Sequence, residues 1–202
     1  RGVAGELEIV PMRGWRRAMT FEDTGLPWVY PSPNMPTLDT ARVYPGLCLV
    51  EATELSEGRG TCRPFEVAGA PDIDPEALAA ELSRYALGGC RFRPLSFRPR
   101  FQKHAGNTCG GVQIHLTDRS QFDACATGVA FLQSVKRIAP EVFAWREKPY
   151  EFVADIPAID LLAGDDRLRR ALDADADLAG LMADWAQERA AFEPIRREAM
   201  LY

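Results

Sequence analysis

The sequence predicts an α/β or α+β fold, in which a mixed sheet is flanked by helices and the C-terminal third is helical. Val112, Ile114 and Leu116 alternate with polar residues, which is the period of a half-buried strand. The pair Asp74-Pro75, a cap residue and a first-turn proline, is typical of a helix N-terminus. Apolar residues between positions 178 and 192 keep a helical period. Strands interleaved with helices favour a domain of mixed class.

The N-terminal part predicts little regular structure. Residues 7–10 alternate and predict one strand. Residues 14–36 contain four prolines, which restrict the backbone and remove hydrogen-bond donors, so a long ordered loop is predicted. Residues 37–44 predict a short helix that ends at Pro45, and the apolar residues 47–50 predict a buried strand.

The remaining elements follow from caps, breakers and periodicity. The helix that opens at Asp74 is predicted to close at Gly88, where two glycines follow each other. Apolar residues within 92–97 predict a strand region. The apolar residues of 131–138 predict a helix that stops at Pro140.

Composition and charge restrict the class of protein. Hydrophobic residues make up 47% of the chain, enough for a sizeable core. The net charge of -5 argues against nucleic-acid binding, which depends on neutralising phosphates. The five cysteines form no C-x-x-C pair, so a structural zinc site is not predicted. No motif for another metal or an organic cofactor is present in the sequence. No apolar run is long enough to cross a bilayer.

Residues 51–66 concentrate four glutamates and two arginines in sixteen positions. The two glycines that flank Arg59 predict a tight turn. Arginine binds carboxylates or phosphates through its planar fork, so Arg59 and Arg63 are candidate binding residues. Glu51 and Glu57 could accept sugar hydroxyls or act as an acid or base. The alternative is that these side chains pair with each other and only rigidify a loop.

Outside this stretch, His115 is the strongest candidate. Its neighbours Gln113 and Thr117 on the predicted strand are also polar, so this face could line a cleft. The alternative is a hydrogen-bonded histidine at a strand surface.

Three long motifs resemble one bacterial family. They are "PWVYPSPNMPTLDTARVYPG" (27–46), "SEGRGTCRPFEVAGAP" (56–71) and "GVQIHLTDR" (111–119). Together they resemble the DUF1343 family, which is associated with exo-β-N-acetylmuramidases of peptidoglycan recycling. One departure from the family pattern is Glu51-Ala52-Thr53-Glu54, where the family usually has Glu-Gly-Thr-Asn.

The resemblance implies a two-domain protein, with a Rossmann-like N-terminal domain, a smaller C-terminal α/β domain and an active cleft between them. We therefore expect this chain to be a piece of a longer polypeptide. Residues 1–20 would be the end of the N-terminal domain or the connection, and residues 21–202 the C-terminal domain. The catalytic carboxylates are expected in the N-terminal domain, so none is assigned here.

The resemblance also implies release of terminal N-acetylmuramic acid from the non-reducing end of peptidoglycan fragments, and a periplasmic or secreted protein. The expected partners are muramic-acid saccharides and the chain's own N-terminal domain. Selecting muramic acid requires a cation facing its lactyl carboxylate, which suits Arg59 and Arg63. Asn34, Glu57 and His115 would supply further polar contacts. The alternatives are a non-catalytic sugar- or partner-binding domain, or a structural domain whose charged loop is self-paired.

Overall fold

The computed structural model describes residues 5–202, which form two compact units. The larger unit is Val29–Met182, and the smaller combines the described residues up to Trp28 with Ala183–Tyr202. Within the described part, the helices are α1 (Leu38–Leu47), α2 (Pro75–Ser83), α3 (Ala124–Ile138), α4 (Ala158–Ala163), α5 (Arg167–Asp173) and α6 (Leu178–Glu198). The strands are β1 (Val67–Ala70), β2 (Cys90–Phe97) and β3 (Cys109–Leu116).

The sheet has the order β1-β3-β2, and both strand pairings are antiparallel. The predicted combination of strands and helices is confirmed, but a mixed sheet is wrong for the described residues. Ile114 is buried and His115 is exposed, because successive side chains of a strand point to opposite faces. The C-terminal half of β3 therefore alternates between core and surface, whereas residues 109–112 are all buried.

Helices α1, α2 and α3 build the core of the larger unit. α2 packs against β2 and β3, and α3 packs against both α1 and α2. The largest fully buried side chains include Leu47, Leu78, Leu82, Phe131 and Leu132.

α1 and α3 approach each other at glycines. A Cβ built on Gly46 would lie 1.7 Å from the carbonyl oxygen of Ala124, and one built on Gly128 would lie 2.2 Å from the carbonyl oxygen of Gly46. The two backbones therefore touch with no side chain between them. The predicted helix end at Pro45 is wrong, because α1 includes Pro45 and continues to Leu47 while packing on α3.

Two short segments differ from prediction. Residues 47–50 are not a strand, because α1 ends at Leu47 and a 3₁₀ helix follows over Cys48–Ala52. A short apolar run fits a buried helical turn as well as a strand. Residues 7–10 form no strand either. β1 was not predicted, since its four residues show no polar alternation and are all buried.

The long loop predicted over residues 14–36, all of which the structure describes, is confirmed apart from one 3₁₀ helix at Phe21–Thr24. Thr20 and Asp23 cap that turn reciprocally. Two aromatic contacts are edge-on: Trp28 lies against Phe21 with ring centroids 5.1 Å apart, and Trp15 lies against Tyr202. No helix among residues 5–202 is long and apolar enough to cross a membrane.

The N-terminus of α2 is capped as predicted, although the helix ends at Ser83 and does not reach Gly88. The Asp74 carboxylate accepts from the backbone N–H of Glu76 at 2.9 Å. We expect Asp74→Ala to lower the free energy of unfolding by about 1 kcal/mol, measured by urea denaturation. Asp74→Ser keeps an acceptor and should lose much less; equal losses would show that the cap contributes nothing.

Candidate functional site

The charged loop, residues 51–66, begins with the last two residues of the 3₁₀ helix that follows α1 and runs to strand β1. Gly58 and Gly60 have φ values of 77° and 84°, a left-handed conformation that favours glycine. The loop is tied to β1 because the backbone groups of Ser56 and Gly69 bond to each other in both directions. The predicted tight turn around Arg59 is therefore confirmed.

Arg59 lies between two carboxylates of its own loop. Its Nη2 donates to Glu51 Oε1 at 2.7 Å, and its Nε lies 3.0 Å from Glu57 Oε1. Lys103 Nζ lies 3.0 Å from the other oxygen of Glu57, and the hydroxyl of Tyr150 donates to Glu51 Oε2 at 3.0 Å. These five side chains form what we call the Arg59 network: Glu51, Glu57, Arg59, Lys103 and Tyr150.

Glu57 is the most enclosed member of the Arg59 network, with 4% of its side chain exposed. Lys103 is almost as constrained, because its ammonium also donates to the carbonyl oxygens of Val50 and Leu55. A buried carboxylate needs paired charges and hydrogen bonds to offset its lost hydration, and the two cations supply them.

The network also shifts the pKa values of its members. Burial alone would lower the pKa of Arg59, but the hydrogen bond to Glu51 and the Glu51 charge raise it overall, so the guanidinium stays charged. Burial, followed by the charge of Glu51, raises the pKa of Tyr150 well above its usual value. Tyr150 therefore acts as a hydrogen-bond donor to Glu51 at neutral pH.

Arg59 still reaches solvent. One quarter of its side chain is exposed, and its Nη1 makes no hydrogen bond with any residue in the described range. The guanidinium lies over the ring of Phe65, 5.0 Å from the ring centroid, and Tyr44 packs edge-on against the same ring. The cation–π contact and the two carboxylates hold the Arg59 guanidinium in one orientation and leave its Nη1 edge open.

Arg63 belongs to a second cluster, centred on the buried Glu66. Its Nη1 lies 3.3 Å from Glu66 Oε2, and 44% of its side chain is exposed. The hydroxyls of Thr37 and Thr40 both donate to Glu66 Oε1. Glu66 thus connects the start of α1 with the end of the charged loop.

Four of the six predicted binding residues lie in the two hydrogen-bonded clusters described above. The other two, His115 and Asn34, lie elsewhere. His115 is on the exposed face of the sheet, where Arg93 Nε lies 3.4 Å from its Nε2. Asn34 is half-buried in a turn, and its backbone N–H donates to Ser32 Oγ. Neither shares a hydrogen bond with the Arg59 network.

Sequence reasoning missed Lys103, Tyr150 and Glu66. Glu66 lies inside the charged stretch and was available as a candidate. Lys103 and Tyr150 join the network from 46 and 99 residues away, and no local motif marks either.

The described residues offer no obvious metal chemistry. No group of three or more His, Cys, Asp or Glu side chains within residues 5–202 is arranged to hold a metal ion. Burial raises the pKa of Cys48 and of Cys109 to about 11, which disfavours the reactive thiolate. The arrangement suits recognition of a polar or anionic ligand by Arg59.

Comparisons with known proteins give a consistent result. A family model described as "Exo-beta-N-acetylmuramidase NamZ, C-terminal" matches residues 42–202, and the corresponding N-terminal model matches residues 1–39. The chain is 38% identical over 200 residues to "Peptidoglycan beta-N-acetylmuramidase NamZ" of Bacillus subtilis (strain 168). That match covers 99% of this chain and 46% of the relative, so the chain spans about half the relative's length.

Two solved structures are similar to this chain, both DUF1343 family proteins of Bacteroides fragilis. The first has a TM-score of 0.81 at 25% identity and covers 94% of this chain and 49% of that chain. The second has a TM-score of 0.62 at 24% identity, covering 85% of this chain and 43% of that chain, and it shows the fold alone.

Proposed function

This chain belongs to the NamZ family of exo-β-N-acetylmuramidases, and we propose that it is the C-terminal part of a glycoside hydrolase. The enzyme would release terminal N-acetylmuramic acid from the non-reducing end of peptidoglycan fragments. We propose a periplasmic or secreted location for it, because peptidoglycan is the expected source of its substrate. The expected partners are muramic-acid saccharides and the chain's own N-terminal domain.

The proposal depends on one observation, the hydrogen bonding of the Arg59 guanidinium. Its Nε and Nη2 are engaged by Glu57 and Glu51, whereas Nη1 has no partner in the described part of the chain. N-acetylmuramic acid differs from N-acetylglucosamine by a lactyl ether that ends in a carboxylate. A pre-oriented guanidinium edge suits that carboxylate, because little side-chain entropy is lost on binding.

Hydrolysis is assigned to the N-terminal domain of the whole protein. A glycosidase commonly uses two carboxyl groups at a defined separation. In the charged loop, Glu51, Glu57 and Glu66 are all engaged by cations. We therefore propose that this loop forms one wall of a cleft between two domains, and that it positions the sugar.

The pairing of the loop glutamates with cations favours a second candidate function, a non-catalytic sugar- or partner-binding domain. If no catalytic domain accompanies this chain, the Arg59 network would bind acidic sugars without cleaving them. The mass of the natural polypeptide, together with release of muramic acid by it, separates the two functions.

The test of the Arg59 role uses the natural full-length protein. Arg59→Ala should lower kcat/KM for a muramic-acid substrate by about 10- to 100-fold, the value of a charge-assisted contact. The matching glucosamine substrate lacks the carboxylate, so kcat/KM for it should fall much less. Arg63→Ala should also lower kcat/KM more for the muramic-acid substrate than for the glucosamine substrate, but the difference should be smaller.

Arg91→Ala is the matched control, because Arg91 is exposed on the sheet and its side chain makes no hydrogen bond or ion pair in the described range. The unfolding midpoint of each variant shows whether a loss of activity reflects loss of structure. Equal losses on both substrates in a folded Arg59→Ala protein would remove Arg59 from carboxylate recognition.

A further inference from the structure

We propose that a second groove of the larger unit is a subsite for another acidic sugar of the same glycan. It would bind the lactyl carboxylate of a muramyl residue beyond the one that is released. This inference rests on the proposed function, and it adds a preference for chains with more than one muramyl residue. Six residues line what we call the basic groove: Glu54, Gln102, Lys103, His104, Arg146 and Lys148.

The basic groove has the size and polarity for a saccharide. Its volume is about 470 Å³, within the range of small-molecule sites. Every residue that lines it has a polar or charged side chain, and four of the six are lysine, arginine or histidine. Such a lining fits a polar anion better than an apolar ligand.

Arg146 is held in place without losing its charge. Its Nε donates to the carbonyl oxygen of Lys148 at 3.2 Å, and its Nη2 donates to that of Pro149 at 3.0 Å. Its guanidinium lies 5.5 Å from the ring centroid of Tyr150. No carboxylate in the described range pairs with Arg146, so its positive charge remains available to a ligand.

Two further side chains of the groove have no partner. Lys148 is exposed, and its ammonium makes no hydrogen bond or ion pair with residues 5–202. The carboxylate of Glu54 is likewise unpaired within that range. A sugar acid complements such a pair, because its carboxylate can bind lysine while its hydroxyls or acetamido N–H donate to glutamate.

Two residues that line the groove have a left-handed backbone conformation. Gln102 and His104 have φ values of 68° and 57°, a region that residues other than glycine rarely occupy. His104 Nε2 lies 2.8 Å from the carbonyl oxygen of Glu54, which can only accept, so this nitrogen carries a proton. Backbone strain of this kind persists where surrounding contacts hold it, and such positions cluster at binding sites.

Lys103 connects the basic groove with the Arg59 network. Glu57 lies between them, with one oxygen 3.0 Å from Lys103 Nζ and the other 3.0 Å from Arg59 Nε. The groove and Arg59 are thus separated by a single buried carboxylate. For the proposed subsite, one glycan chain must reach both places.

The test compares two substrates in the natural full-length protein: a muramyl-glucosamine disaccharide with one lactyl carboxylate, and the tetrasaccharide with two. Lys148→Met should raise KM for the tetrasaccharide about three- to tenfold, the effect of losing one partly exposed charge contact. KM for the disaccharide and kcat for both substrates should stay unchanged. Glu54→Gln should give a smaller rise for the tetrasaccharide.

Two controls make the result specific. Arg91→Met removes an exposed cation outside the groove and should change neither KM. Amidation of the internal lactyl carboxylate should raise KM of the unaltered protein at least as much as Lys148→Met does, because Arg146 also loses a charged partner. Lys148→Met should then add no further loss.

The failure of this inference is distinguishable from that of the proposed function. Cleavage of both substrates with the same KM in the Lys148→Met and unaltered proteins overturns the subsite and leaves the proposed function standing. Failure to cleave either muramyl substrate overturns the proposed function, and the subsite falls with it.

Discussion

Replacing Glu57 with alanine is expected to lower the free energy of unfolding by about 3 kcal/mol, the lower end for breaking a buried ion pair. The Glu57 side chain is 4% exposed and touches both Arg59 and Lys103. Its removal leaves two cations facing each other without the carboxylate between them. The lower end applies because both cations keep some contact with solvent.

Urea denaturation of the variant and the unaltered protein measures this loss. Glu57→Gln keeps the shape and one acceptor but removes the charge, so an intermediate loss is expected. Glu147→Ala is the matched control; that glutamate is exposed and unpaired within the described range, and a change of less than about 0.5 kcal/mol is expected. A loss as small as this for Glu57→Ala would show that the network does not stabilise the fold.

Replacing Gly46 with alanine is expected to destabilise the larger unit by about 3 kcal/mol or more, the upper range for overpacking a core. The new methyl group would meet the Ala124 carbonyl oxygen at 1.7 Å and the Cys125 nitrogen at 3.2 Å. Both are backbone atoms, so no side-chain rotation relieves the clash. α1 and α3 would have to separate.

Gly180→Ala is the matched control, because it makes the same change inside helix α6. A Cβ at Gly180 meets nothing within 4 Å. Alanine there should raise the free energy of unfolding by up to about 1 kcal/mol through helix propensity. If Gly46→Ala were no less stable than Gly180→Ala, the close approach of α1 and α3 would not be limiting.

The sequence predicted the elements that carry strong local signals. α2 has a cap and a proline at its first turn, and β3 alternates from Val112 onwards, so each could be placed from a few residues. The strand predicted over residues 47–50 was wrong, because these residues continue the helical path of α1, which packs against α3. The helix end predicted at Pro45 was wrong because the next residue, Gly46, makes a close contact with α3 that only the tertiary fold requires.

In the candidate site, too, contacts between near neighbours in the chain were predictable and long-range contacts were not. Glu51, Glu57 and Arg59 are near neighbours in the chain, so their association could be predicted, including the alternative that they pair with each other. Lys103 and Tyr150 could not be, because long-range folding brings them in. The roles of His115 and Asn34 stay predictions.

Glu66 has a consequence for natural variation in this family. One of its oxygens accepts from both Thr37 and Thr40, and the other faces Arg63. Losing the carboxylate alone would leave two hydroxyls without their acceptor in a largely buried site, whereas exchanging all the partners for apolar groups of similar shape can be nearly neutral. Evolutionary change at these positions should therefore be correlated, with the two threonines and the glutamate retained or replaced together.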